Sequence, residues 1–250
     1  MPGGTVEAPR SMTASVDASL GVIVPLAPER RCLRPGAVAS DGVTVSVHQS
    51  GQGPRNATRV AAAAIANGAT ALLSVGVAGA LSAELEAGDV VVPGTVIDAA
   101  SGATVECAAT WTADLRAAAA ASGTVSEQML LSVSAVLTTP EKKRAAAARF
   151  GAVACDMESA AIGAVAAQAG VAFAVLRVIC DNSADELPDN VEGFVDDTGN
   201  ARLLPVIGAM MVPGRWRSVL TMNTRFRQAQ RRLNLLSDAL APSAYCCPGR

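Results

Sequence analysis

An Ala-rich helical stretch, residues 157–169, is stopped by Gly170 and followed at once by 171–180, a run that is almost wholly apolar and β-branched. Glycine suits the left-handed position that ends a helix, and an apolar run without alternation reads as a strand covered on both faces. A helix and buried strand in that order belong to a strand–helix–strand unit, and open α/β sheets of this kind place ligands at the carboxyl ends of their strands. Two carboxylates bracket the unit: Glu158, in Cys155-Asp156-Met157-Glu158-Ser159, and Asp181, 23 residues later in Cys180-Asp181-Asn182-Ser183. The spacing predicts that they share one cleft.

The pattern extends along most of the chain. Strands are expected at 20–26, 43–48, 70–75, 130–137 and 153–155, with paired β segments at 90–92 and 95–98. Helices are expected from Pro28-Glu29, over 56–67 and 111–121, and over 140–150, where Pro140 takes the favoured first position. Alternation of this kind predicts an α/β fold with three αβα layers around a mixed, mostly parallel central sheet. With 250 residues and no composition break between them, one large domain is expected over 19–212. Flexible tails are expected at 1–18 and 241–250, and a basic amphipathic helix at 213–240.

Aromatic residues make up only 3% of the chain, so the core must be built from small side chains. The six cysteines form neither a CxxC pair nor a His-associated cluster, which argues against a zinc site or a disulfide framework. No cofactor and no metal are expected. The N-terminal residues include Glu7 and Asp17 without a long apolar run, so neither a signal peptide nor a transmembrane helix is expected, and a cytoplasmic location is. Residues 214–236 carry six arginines and no acid, leaving 14 basic against 22 acidic residues elsewhere. Such a helix either lies on an anionic membrane surface or packs internally with a solvated arginine face. The acidic remainder and the scarcity of aromatic platforms argue against a nucleic-acid partner.

Two glycine turns, at 50–53 and 76–79, are read as strand-to-helix connections whose backbone N–H groups face a ligand. Neither matches the dinucleotide fingerprint, and no GxxxxGK[ST] phosphate loop occurs. The single histidine, His48, does not build a nucleophile–base pair and is read as structural. Carboxylates remain as the acid–base machinery. Asp181, emerging from an apolar strand, is expected to have its proton retained by desolvation, so that it can protonate a leaving group. Its local Asp-Asn-Ser sequence is also turn chemistry, Glu158 suits the first turn of a helix, and Asp156 suits a cap.

Four segments, taken together, resemble the purine nucleoside phosphorylase and methylthioadenosine/adenosylhomocysteine nucleosidase superfamily. They are Gly21-Val22-Ile23-Val24-Pro25-Leu26-Ala27-Pro28-Glu29; Ser50-Gly51-Gln52-Gly53; Val75-Gly76-Val77-Ala78-Gly79-Ala80-Leu81 with Gly88-Asp89-Val90-Val91-Val92; and Asp156-Met157-Glu158-Ser159 with Ile179-Cys180-Asp181. The resemblance covers roughly 20–212 and extends to the hopanoid-biosynthesis branch, the adenosylhopane nucleosidases or phosphorylases, through the Arg-rich C-terminal segment.

This resemblance implies catalytic roles for Asp181, protonating purine N7, and for Glu29, activating water. It implies that Glu158 accepts hydrogen bonds from the ribose 2′ and 3′ hydroxyls, that Met157 packs on the sugar, and that Val77, Ala78 and Gly79 lie beside sugar and base. The expected activity is cleavage of an adenine nucleoside, lipid-linked at the 5′ position in the hopanoid case, by hydrolysis. Two alternatives stay open: phosphorolysis, with Arg30, Arg31 or Arg55 serving the phosphate, and an inactive nucleoside-binding module. A homo-oligomer is implied by the superfamily.

Overall fold

The computed structural model describes residues 18–33, 43–121, 123–188, 198–200 and 216–239, with side chains of the last segment from Leu220 to Ser237. The expected tails, and the end of the expected domain at 201–212, lie outside the described residues apart from Ala18.

The strands are β1 (Ser19–Val24), β2 (Thr44–Gln49), β3 (Ala71–Ala80), β4 (Val90–Val91), β5 (Thr95–Asp98), β6 (Thr104–Glu106), β7 (Val125–Ser126), β8 (Leu130–Ser132), β9 (Ala154–Asp156) and β10 (Ala172–Asp181). The helices are α1 (Ala27–Arg30), α2 (Pro54–Ala66), α3 (Ala109–Ala120), α4 (Pro140–Phe150), α5 (Ser159–Ala169) and α6 (Trp216–Ala239). One mixed sheet runs β6-β5-β8-β9-β3-β10-β4-β7, and β1 joins β3 to β2 beside this path. Pairings β1–β2, β1–β3, β3–β10, β4–β7, β5–β8 and β8–β9 are parallel, while β4–β10, β3–β9 and β5–β6 are antiparallel. The expected α/β architecture is therefore the observed one.

Side-chain alternation along the central strands separates two cores. Ala174, Leu176 and Val178 of β10 meet Trp111 and Leu115 of α3 and Ala229, Leu233 and Leu236 of α6. Phe173, Val175 and Ile179 face the other way, onto Ala57 and Ala61 of α2 and Ile162 and Ala166 of α5. Small side chains allow the close approach: a Cβ on Gly163 of α5 would lie 2.7 Å from both the Phe173 ring and Val105. The internal option for the C-terminal helix thus holds over its second half, where Leu233 and Leu236 are each 1% exposed.

Several local expectations are corrected. The glycines at 76 and 79 do not form a turn, because β3 continues through both to Ala80 and no helix follows. Neither is among the positive-φ glycines, so their small size, not a left-handed backbone, is what the fold uses. The segments β4 and β5 do not pair with each other; β4 pairs with β10 and β7, and β5 with β6 and β8. The strand expected over 130–137 ends at Ser132. Glu158 precedes α5 as its N-cap residue instead of lying within the first turn.

Candidate active site

Carboxyl ends of the central strands open onto a cavity of about 480 Å³. Glu29, Val77, Ala78, Gly79, Met157, Glu158 and Asp181, expected from sequence to be near a substrate, all line it. Each arrives by a different route.

Glu29 is held by α1, where its Oε2 accepts the N–H of Leu26 at 2.8 Å, the glutamate half of a capping box. Its Oε1 accepts the Val77 N–H of β3, also at 2.8 Å, tying the helix to the strand. Burial pushes the Glu29 carboxyl up to about 7; Arg177 and the two backbone N–H groups pull against that, and Asp156 adds a further upward push.

Glu158 ends the turn between β9 and α5. Its Oε1 accepts the N–H of Gly53, 2.7 Å away at the N-terminus of α2, where φ of Gly53 is +92°. The turn at 50–53 is thus a real strand-to-helix connection, and the anion at its helix end is the protein's own carboxylate. Burial, followed by the nearby Asp156 charge, raises Glu158 to about 8, opposed by Arg177 and Gly53. Met157, next to it, accepts a contact from Gln52 Nε2 at 3.3 Å.

Asp181 closes β10. The register of β3 and β10 shifts between Ile179 and Asp181, a bulge that sets Asp181 opposite Gly79. A Cβ at position 79 would lie 3.0 and 3.1 Å from the two carboxylate oxygens, so glycine makes room for this side chain. The sequence implied a carboxyl group among apolar neighbours alone. Instead, Lys143 of α4, itself 1% exposed, places Nζ 2.5 Å from Asp181 Oδ2. The same ammonium donates to the carbonyls of Asn182 at 2.7 Å and Asp185 at 3.3 Å.

β10 carries a second buried cation, in register with Gly76 of β3. Arg177, inside the apolar run of β10, is fully buried and pairs through Nη2 with Asp156 Oδ2 at 2.7 Å. Nη2 also donates to Ser74 Oγ at 2.7 Å and Ser159 Oγ at 3.0 Å, while Nη1 and Nε have no hydrogen-bond partner among the described residues. Asp156 accepts the Ser159 N–H at 3.0 Å, which satisfies the first amide of α5 although Glu158 is the N-cap residue, and it serves as counter-ion as well. Much of the remaining lining is apolar, with Val133, Val136, Leu137 and Leu187, and with Leu220, Met222 and Phe226 of α6, among which Asn223 and, elsewhere, Gln52 and Asp156 are polar.

Sequence reading missed Lys143, Arg177 and Ser74. A lone arginine in a ten-residue apolar strand was the available signal for one of them, since a charge there needs a buried partner. His48 is on β2, 2.8 Å from Ser46 Oγ, and is not among the cavity residues.

Comparison with curated proteins returned no match. Among solved structures, the chain is similar to the 5′-methylthioadenosine/S-adenosylhomocysteine nucleosidase of Helicobacter pylori bound to butyl-thio-DADMe-Immucillin-A, at 18% identity over 88% of this chain and 98% of that one, with a TM-score of 0.66. It is similar to the futalosine hydrolase of the same organism at 18% identity, covering 89% and 98%, TM-score 0.66. The S-adenosylhomocysteine nucleosidase of Streptococcus pyogenes, in complex with 5-methylthiotubericidin, aligns at 18% identity over 91% and 98%, TM-score 0.67. At such identities the likeness carries the fold. A family model, described as the phosphorylase superfamily, matches residues 23–204, well over half of the chain: this chain belongs to the phosphorylase superfamily.

Proposed function

We propose that the protein cleaves the N-glycosidic bond of a purine nucleoside by acid-assisted hydrolysis, its substrate a 5′-substituted adenosine such as adenosylhopane. The observation that carries this reading is the convergence of Glu29, Glu158 and Asp181 on one cavity, although they lie far apart in sequence. The protein is an enzyme of N-glycosidic bonds, and departure of the base leaves an oxocarbenium-like sugar that requires an acid for the base, a base for the nucleophile and negative charge near the ring. Asp181 gives a proton to the purine, Glu158 accepts hydrogen bonds from the sugar hydroxyls, and Met157 packs beside them. Glu29, poised near neutrality, takes the proton of the attacking water.

Water is favoured over phosphate by the placement of cations. Arg30, Arg31 and Arg55 are not among the residues lining the cavity. Lys143, the one cation among the described lining residues, is occupied by three acceptors, and Arg177 is not among the residues that line the cavity. Phosphorolysis, the alternative, needs several free donors around one anion.

The apolar wall contributed by Leu220, Met222 and Phe226 suits a hydrophobic 5′ substituent. Leu220 and Leu235 are exposed on α6, and with Arg227 and Arg231, also exposed, they support peripheral contact with an anionic membrane, as does a lipid-linked substrate. A homo-oligomer in the cytoplasm completes the proposal. Adenine release from a panel of 5′-substituted adenosines, with and without phosphate, tests the reading: release independent of phosphate is expected, and a strict phosphate requirement overturns hydrolysis. Sedimentation with anionic vesicles, comparing the wild-type chain with Arg227→Gln combined with Arg231→Gln, tests the membrane contact, which is refuted by equal binding.

A further inference from the structure

The ion pair at Asp181 poses a chemical question. A carboxylate already paired with an ammonium has no proton of its own to give, yet the proposed reaction takes one from it. Lys143 is fully buried, its Nζ lies 2.5 Å from Asp181 Oδ2, and its other contacts, the carbonyls of Asn182 and Asp185, only accept. Lys143 and Asp181 both line the cavity, so the pair has an open face toward a bound base.

Resting on the hydrolytic reading, we infer that the acid of this site is the Lys143–Asp181 pair, with Lys143 a positioning residue that stores the proton Asp181 delivers. In the step, the C1′–N9 bond breaks and its electron pair passes into the imidazole ring of the base. The Lys143 ammonium passes one proton across the contact to Asp181 Oδ2, becoming a neutral amine, and Asp181 hands that same proton to N7, ending as a carboxylate. Water adds to C1′ as Glu29 takes its proton. Glu29 then releases that proton to solvent and Lys143 takes one back, so charge and protons balance over a turnover. The contact is direct and buried, so no intervening group has to carry the proton between the two side chains. Asp185 fixes the amine end from a second side: its carboxylate pairs with Arg225 of α6 and accepts the Asn182 N–H at 2.8 Å.

The test compares two substrates in the wild-type enzyme, Lys143→Met and Lys143→Gln. One is a 5′-substituted adenosine, whose base needs a proton; the other is 4-nitrophenyl β-D-ribofuranoside, whose nitrophenolate leaves without one. Both variants are expected to lose about 100-fold or more in kcat for adenine release, with KM within about threefold, and less than about tenfold for nitrophenolate. Lys143→Gln keeps a donor for the carbonyls while lacking a transferable proton, so its agreement with Lys143→Met separates proton storage from packing. Equal losses on both substrates would reduce Lys143 to a structural role, and full adenine release by either folded variant would refute the inference. A wild-type enzyme that releases no adenine would instead overturn the hydrolytic reading itself.

Discussion

Gly76 of β3 lies opposite Arg177 of β10, and a Cβ at position 76 would sit 2.2 Å from the guanidinium Nη1 and 3.0 Å from Glu29 Oε1. The missing side chain is what lets the buried cation and the proposed base approach the same point. Gly76→Ala should therefore displace both groups. The expected result is a loss of stability of about 1–3 kcal/mol, as for other overpacked cores, with a fall in kcat larger than the stability change explains. Thermal unfolding alongside steady-state kinetics checks this, and normal kcat in the variant would show that the approach is not used.

Removing the guanidinium has a different signature. Arg177→Met leaves Asp156 buried without its counter-ion, so a destabilisation of about 3–5 kcal/mol is expected at neutral pH. Arg177→Met combined with Asp156→Asn should recover much of it, measured by urea denaturation. Additive losses in the double variant would mean that the pair is not coupled.

Glu29 links activity and stability to pH. Its carboxyl is raised to about 7, so the folded protein holds a proton that the unfolded chain has lost above the ordinary glutamate value of 4.5. The folded state is consequently favoured at low pH and loses this contribution as pH rises from about 4.5 to about 7, by about 3 kcal/mol in the limit. Urea midpoints for Glu29→Gln should vary less over that window than those of the wild-type protein. The catalytic sign is opposite. A base must be deprotonated, so kcat/KM should fall as pH drops below about 7, and Glu29→Gln should remove the activity.

Glu158 should reveal itself in substrate discrimination. With its carboxyl group facing the sugar hydroxyls, Glu158→Ala is expected to lose about 1–3 kcal/mol in kcat/KM on a ribonucleoside and much less on its 2′-deoxy analogue. Equal losses on both would place the sugar elsewhere. Competition kinetics with the two nucleosides reads the difference directly.

Much of this arrangement is legible in the chain because it depends on local pattern. The helix 140–150, bounded by Pro140 and Gly151, and the strand segment 95–98 match their expected limits, and the buried run before Asp181 marks the centre of the sheet. The carboxylates stand out as acids at the ends of apolar runs, although turn and helix-cap chemistry suits the same positions. Gly76 and Gly79 were misread because a glycine letter does not distinguish a left-handed turn from a backbone that must stay bare. Their partners, Arg177 and Asp181, come from a strand about a hundred residues away, and only the register joins them. Lys143 sits in Glu141-Lys142-Lys143-Arg144, where a charged run looks like a solvated helix face, and only packing turns one of its members inward. The short strands β6 and β7, of three and two residues, are too brief to show any period.

The most direct test is a crystal structure of Asp181→Asn with a 5′-substituted adenosine bound. Hydrogen-bond contact between residue 181 and purine N7, with both ribose hydroxyls on Glu158 and a water between Glu29 and C1′, is the predicted result. A nucleoside whose base points away from residue 181, or whose sugar makes no contact with Glu158, would contradict the account.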